Sequence, residues 1–298
     1  MLFNSTEFIF VFLPVTLFLF FFLGSQLHQR AAVAWLVLAS LFYYSWWNPI
    51  YLWLLVFSIL FNFSTGRLLS SRLRSKLFLS LGVAVNLALL GYFKYANFFV
   101  DNINGLLRQN FTLDHVVLPL AISFFTFQQI VFLVDAYRNE TREYNFLHYS
   151  LFVTFFPQLI AGPIVHHKEM LPQFADAETY RLKISNLNIG MTFFIIGLFK
   201  KVVLADGIAA YSTPVFSAAD AGQALTFFDA WGGSLAYSLQ LYFDFSGYAD
   251  IAIGIGKMFG ITLPLNFNSP YKSKNIIEFW RCWHLTLSRF LKDYLYIP

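Results

Sequence analysis

Charges are so sparse along this chain that its hydrophobic runs can be read off directly. No Asp, Glu, Lys or Arg occurs over residues 8–29, which as a helix is long enough to cross ~30 Å of hydrocarbon. This run reads as a span and not a cleavable leader, because Glu7 replaces the basic leading region and no small-residue cleavage site follows. Residues 31–66 are also uncharged. As one helix they would be roughly 54 Å long at about 1.5 Å per residue. Asn48-Pro49 is expected to divide them, with Trp46, Trp47 and Trp53 anchoring the break at the interface. Further spans are expected over residues 77–93, 116–134, 147–165, 187–205, 227–243 and 248–263. The pattern is that of an all-α, polytopic integral membrane protein.

Basic connections orient the spans. Arg67, Arg72, Arg74 and Lys76 share one connection without an acid, which places it in the cytoplasm. The N-terminus, three spans earlier, then lies outside, and Arg30 falls inside in agreement. The connection from Asp101 to Asp114 follows outside, and that from Asp135 to Glu143 inside. Beyond it the basic residues conflict, since Lys200-Lys201, His166 to Lys168 and Arg181 to Lys183 all favour the cytoplasm. Pro157 and Gly162-Pro163 interrupt residues 147–165, and a broken or re-entrant helix there reconciles the counts. Such a break is tolerated only where protein or a water-filled cavity covers the loose backbone. Without repeats, low-complexity tracts or linkers, residues 1–298 read as one membrane domain.

Composition then excludes whole classes. The chain is 58% hydrophobic, 20% aromatic and 12% charged, against about 25% charged in soluble domains. Folded in water it would expose a large share of its 38 Phe residues. A cytosolic enzyme, a disordered tail and a disulfide-stapled secreted domain are excluded. The single Cys282 forbids an intrachain disulfide. The net charge of +4 is spread along the chain, so it is loop bias and not a nucleic-acid footprint.

Ionisable groups at membrane depth are costly and mark function by default. Gln240 and Asp244, four residues apart, share a helical face. Gly247 is expected to interrupt that helix before Asp250. Two readings stay open here: the wall of an acid-lined cavity, or helix-end caps at the interface. Ala249, Ala252, Gly256 and Gly260 follow at a small-residue spacing that permits close helix approach. Over residues 276–297, a helix would gather Trp280, Trp283, Leu287, Phe290 and Tyr294 within an arc of roughly 80°. Glu278, Arg281, Ser288, Arg289 and Lys292 take the other side, with His284 on the border. One reading is an interfacial helix in the headgroup plane. The other is a helix bordering a polar tunnel, where His284 takes the proton of an acceptor hydroxyl and Glu278 or Arg281 orients it or stabilises charge.

The remaining histidines carry less. His28 and His115 fall in expected loops, His148 begins a span, and the adjacent His166-His167 has no metal-ligand spacing. No HExxH, CxxC, phosphate-loop, GxSxG or dinucleotide pattern occurs. No bound metal or nucleotide cofactor is indicated.

Several segments resemble the membrane-bound O-acyltransferase superfamily. They are the Met-Leu-Phe-Asn-Ser opening, Gly91-Tyr-Phe-Lys-Tyr-Ala-Asn97, Leu118-Pro-Leu-Ala-Ile-Ser-Phe124 and Phe156-Pro-Gln-Leu-Ile-Ala-Gly-Pro163. Three more follow: Gln240-Leu-Tyr-Phe-Asp-Phe-Ser-Gly-Tyr248, Asn266-Phe-Asn-Ser-Pro-Tyr271 and Glu278-Phe-Trp-Arg-Cys-Trp-His-Leu-Thr-Leu-Ser288. The resemblance is colinear over the whole chain and strongest to the bacterial branch of alginate O-acetylation and teichoic acid D-alanylation. Cys282 stands where that family usually has a second Arg.

The resemblance implies about eight to ten membrane segments, with re-entrant or interfacial helices, ringing a polar tunnel. It implies transfer of an acyl group, acetyl in the alginate-like branch, from a cytoplasmic thioester such as acetyl-CoA to hydroxyls of an exported polysaccharide. No bound cofactor is implied. The partners it implies are the bilayer, the polysaccharide acceptor and a periplasmic acetyltransferase, with no nucleic acid. The location it implies is the bacterial inner membrane. His284 matches the first of the family's two characteristic histidines. Gln240, Asp244, Asp250, Glu278 and Arg281 are the tunnel or substrate candidates. The second histidine, in a Trp-His-Gly context, does not occur before Pro298, so the chain is expected to be a partial enzyme, inactive or impaired alone. A transporter or channel subunit, supported by intramembrane acids and broken helices, and a non-catalytic scaffold are the alternatives.

Overall fold

A computed structural model describes residues 1–70, 75–107, 116–140, 145–160 and 162–297. Arg72, Arg74, Asp114, His115, Glu143 and Pro298, which entered the sequence argument, lie outside the described residues. All regular structure among the described residues is helical. In chain order the helices are α1 (Phe8–Gln26), α2 (Gln29–Ser45), α3 (Ile50–Ser70), α4 (Lys76–Leu107) and α5 (Ile122–Tyr137). The short α6 (Phe146–Thr154), α7 (Phe156–Leu159) and α8 (His167–Ala175) follow. Next, α9 (Ile184–Leu198) runs through a π-helical segment, Phe199–Ala205, into α10 (Asp206–Asp220). The last are α11 (Phe227–Met258), α12 (Ile276–Trp280) and α13 (Leu285–Leu291). Helices α1, α3 and α4 are long and apolar enough to cross a membrane. Phe10, Phe18, Trp53 and Phe228 are among the large apolar side chains left exposed, a surface that suits lipid rather than water.

The chain gathers into two compact units. The first comprises Met1–Ala32, Ala161–Val165 and Asp176–Pro298. Its spine is α9 against α11, and the contact is made by glycines. A Cβ placed on Gly190 would lie 2.6 Å from the Gly254 carbonyl oxygen, and one on Gly197 2.6 Å from that of Gly247. Only glycine allows backbones this close. In the same unit, Phe20 of α1 packs edge-on against Phe259 at 5.3 Å and, tilted, against Tyr180 at 5.5 Å.

The second unit comprises Val33–Ile160 and His166–Ala175. Here α3, α4 and α5 bury a file of polar side chains. Asn62 and Asn86 exchange amide hydrogen bonds at 3.1 and 2.6 Å. Gln129 donates to Ser58 Oγ at 3.3 Å and accepts from the Tyr149 hydroxyl. In an apolar setting each amide needs such a partner.

Several boundaries differ from the sequence expectation, each for a local reason. Asn48-Pro49 does separate α2 from α3, and Asn48 Oδ1 accepts from the Ile50 N–H at 3.0 Å. The expected span 116–134 begins only at Ile122, after an irregular approach. Side chains satisfy the loose backbone there: Asn97 pairs with both Val116 groups, and the Tyr51 and Tyr44 hydroxyls donate to the Val117 and Leu120 carbonyls. The segment 147–165 breaks at Phe155, two residues before Pro157, and Ser40 Oγ takes up the freed Phe156 N–H at 3.3 Å. Residues 227–243 and 248–263 do not form two spans. They join in the 32-residue α11, and Gly247 packs inside it instead of ending it. The helix expected over residues 276–297 is broken at His284, whose φ of 46° is left-handed.

Candidate functional site

Within the first unit, the chain leaves α11 and turns at Gly260, whose φ of 81° is open only to glycine without strain. It then runs alongside the segment that joins α12 to α13. Asn268 N donates to Cys282 O at 2.9 Å, and Leu285 N to Asn266 O at 2.9 Å. Asn275 caps α12 by accepting from the Glu278 N–H at 2.9 Å. Between the two short helices His284 takes a backbone conformation that is strained for any side chain other than glycine's.

Side chains hold His284 in that conformation. Its Nδ1 lies 3.0 Å from Asn266 Oδ1, which also receives the Thr286 hydroxyl at 2.9 Å and the Thr286 N–H at 3.4 Å. The Thr286 hydroxyl in turn accepts from the Ile164 N–H at 3.0 Å. A backbone N–H can only donate, so the Asn266 atom facing it is the oxygen. Nδ1 therefore carries the ring proton in the neutral imidazole, and Nε2 carries the lone pair. Phe245 covers the ring edge-on at 4.9 Å. Burial pushes the imidazole down to about 4, outweighing a backbone hydrogen bond that favours its charged form. At neutral pH it is an uncharged ring with a free basic nitrogen.

The intramembrane acids find cations. The π-helical segment places two consecutive lysines against α11. Lys200 Nζ lies 2.6 Å from Asp250 Oδ2, while Lys201 Nζ lies 2.6 Å from Asp244 Oδ1 and 2.7 Å from Asp206 Oδ1. Gln240 Oε1 accepts from the Ser212 hydroxyl at 2.5 Å. The candidates of α11 are thus brought together with the continuous helix α9 to α10. None of them caps a helix end.

Glu278 and Arg281 are not brought to His284. Glu278 is exposed and accepts from the Lys274 N–H at 2.9 Å, closing the turn before its own helix. Arg281 is exposed at the end of α12, with no side-chain partner among the described residues. The break at His284 separates the periodicity that would have placed them beside it, and Asn266 takes the orienting position instead. Neither Asn266 nor Thr286 stood out by residue type. The one cue was that both sit in segments that resemble the acyltransferase motifs.

A second buried histidine lies in the other unit. His167 Nδ1 is 3.6 Å from Asp135 Oδ2, and Lys168 Nζ is 3.6 Å from the same oxygen. Burial first, then the charge of Lys168, pushes His167 down to about 4. The hydrogen bond from Lys168 holds Glu140 below the usual carboxylate range. Among the described residues no three His, Cys, Asp or Glu side chains gather as metal ligands.

The sequence model described as MBOAT, membrane-bound O-acyltransferase family, matches residues 73–298. The peptidoglycan O-acetyltransferase of Helicobacter pylori is 49% identical over 327 aligned residues, covering 100% of this chain and 62% of the relative. The probable alginate O-acetylase AlgI of Pseudomonas aeruginosa is 43% identical over 306 residues, covering 100% of this chain and 57% of the relative. The teichoic acid D-alanyltransferase of Bacillus subtilis is 32% identical over 183 residues, 60% of this chain and 45% of the relative. The chain spans less than two thirds of the length of each.

Proposed function

The chain belongs to the membrane-bound O-acyltransferase family, and from that premise we propose that it works in O-acetylation of an exported polysaccharide at the bacterial inner membrane. The donor is a cytoplasmic acyl thioester such as acetyl-CoA, and the acceptor is a sugar hydroxyl on a polymer of the peptidoglycan or alginate kind. Names of the relatives support acetyl as the group and a cell-envelope polymer as its destination. A periplasmic acetyltransferase that completes the transfer is the partner that fits a donor on one side and an acceptor on the other. By the distribution of basic loops the N-terminus lies outside.

The observation that carries this reading is the locked, neutral His284 with Nε2 free. Transfer needs a base for the hydroxyl proton and stabilisation of a tetrahedral oxyanion. The hydroxyl acylated at this site, either the polymer's own or one on the partner that passes the acetyl on, donates to Nε2, and its oxygen attacks the thioester carbonyl carbon. As the C–O bond forms, the proton passes to Nε2 and the carbonyl π pair moves onto oxygen. The oxyanion then collapses, the C–S bond breaks, and the proton on Nε2 goes to the departing thiolate. A ring whose resting pKa is depressed to about 4 gains proton affinity as negative charge develops beside it. Gln240 with its Ser212 partner, and Asp244 and Asp250 with their lysine partners, belong to the same unit and are proposed to line the substrate path. Glu278, exposed on α12, and Arg281, exposed at its end, are proposed as polar contacts at its mouth.

The test uses membranes of a strain lacking its own transferase, with the complete reading frame expressed and labelled acetyl-CoA supplied. Label is expected in isolated polysaccharide, with peptidoglycan and alginate assayed separately. His284→Ala is expected to lower the rate by about 10²–10⁴-fold. An unchanged rate removes His284 from the chemistry. Absence of polymer-bound acetyl in every fraction rejects the acyl-transfer reading.

A further inference from the structure

We propose that Asn266 serves the acyl-transfer step with both ends of its amide: Oδ1 fixes the tautomer of His284, and Nδ2 donates to the oxygen that turns negative when the thioester carbonyl is attacked. This rests on the acyl-transfer reading of the same site. Asn266 is 1% exposed, and its Oδ1 gathers three donors from His284 and Thr286. Its Nδ2 is buried with no hydrogen-bond partner among the described residues. Rotating the amide would turn its N–H groups onto the Thr286 N–H, which can only donate. The free donor is therefore imposed by the packing.

A buried N–H group without a partner is costly and rare. Here it occurs beside a non-glycine residue held at φ 46°. Two local rules are broken within one hydrogen-bonded pair, where breaches of local rules tend to mark function. The geometry couples the two roles. Oδ1 accepts the hydrogen bond from Nδ1–H, which leaves Nε2 as the base, and the same amide offers Nδ2 as a preorganised donor among buried groups. Its backbone is clamped by the Leu285 N–H to Asn266 O bond at 2.9 Å, so the donor pays little reorganisation during the reaction.

A purely structural Asn266 would act through Oδ1 alone, and Asn266→Asp separates the two readings. The carboxylate keeps an acceptor for His284 and Thr286 and removes the Nδ2 donor. In membranes carrying the complete reading frame, it is expected to lower kcat by about 10²–10³-fold with little change in KM. The added anion against Nδ1–H stabilises the imidazolium, so the acid limb of the rate profile is expected to move to higher pH. Full kcat in Asn266→Asp, with the wild type active, overturns this proposal alone. A wild type that transfers no acetyl overturns the acyl-transfer reading, and this proposal with it. A second measurement needs no substitution. With the ketone analogue of acetyl-CoA, in which a methylene replaces sulfur, bound to the wild type, the Asn266 side-chain amide proton is expected to shift downfield by NMR. No shift when the analogue is bound overturns the proposal.

Discussion

Lys200 reaches Asp250 at 2.6 Å across a helix pair whose backbones touch where Gly197 meets Gly247. The next residue, Lys201, reaches Asp244 on the other side of Gly247. The glycine contact brings the helices close enough for two consecutive lysines to straddle α11. Both members of the Lys200–Asp250 pair are largely shielded, so removing one leaves an uncompensated charge in an apolar setting. Lys200→Met is expected to destabilise the protein by about 3 kcal/mol, the low end for a pair that keeps some exposure, read as a lower melting temperature in detergent. Lys200→Met with Asp250→Asn is expected to recover most of that loss. A double variant as unstable as the single one would show that the pairing is not what Lys200 contributes.

The glycine contact itself makes a sharper test. Gly197→Ala forces a methyl to within 2.6 Å of the Gly247 carbonyl oxygen and 2.7 Å of the Ile251 nitrogen, backbone atoms that cannot swing aside as a side chain can. Overpacking of this kind costs about 1–3 kcal/mol or more. Gly232 lies in α11 with nothing within 4 Å of its would-be Cβ. Gly232→Ala is expected to be neutral or stabilising by about 0.5–1 kcal/mol through helix propensity. Equal melting temperatures for the two variants would contradict the close approach.

That contrast shows what the sequence could and could not convey. Long uncharged runs disclosed the helical membrane class because charge at membrane depth is costly, and Asn48-Pro49 marked a real break. Gly247 looked like a break of the same kind, since glycine is a poor helix former in isolation. In the packed pair its missing side chain is what allows α11 to approach α9. His284 was visible as a titratable residue in an aromatic segment, but its partner Asn266 lies 18 positions away in a loop, beyond any periodicity. Lys200 and Lys201 were legible only as orientation markers. Their pairing with Asp244 and Asp250 depends on the register of two helices, which no single segment encodes.

The paired amides of α3 and α4 should behave as a unit. Asn62 and Asn86 are buried and bonded to each other in both directions, and each also donates to a carbonyl of its own helix. Asn62→Leu strands one amide of the pair, an effect of about 0.6–2 kcal/mol between membrane helices. Asn62→Leu with Asn86→Leu removes the stranded group and is expected to be more stable than either single variant. The comparison is a double-mutant cycle on melting temperature. Strictly additive losses would mean that the two amides do not interact.

Acid should expose His284 and His167 through stability before it touches chemistry. Both imidazoles are pushed down to about 4 by burial, from an ordinary value near 6.5. Above pH ~6.5 neither the folded nor the unfolded chain protonates them, and they cost nothing. Between ~6.5 and ~4 the unfolded chain takes up protons that the folded chain refuses, so stability falls as pH falls. Each site contributes a loss of about 3 kcal/mol by the lower end of that window. The melting temperature is expected to hold near pH 7 and drop steeply from pH 6 to 4.5, and His284→Gln should flatten part of the slope. Acetyl transfer, in contrast, is expected to keep its rate from pH 7 to 5.5 in protein that stays folded, because Nε2 remains unprotonated. An imidazole titrating at its ordinary value would lose about tenfold of its neutral form over that interval. A tenfold fall in rate by pH 5.5, without unfolding, would show that His284 is not held in its depressed, neutral state.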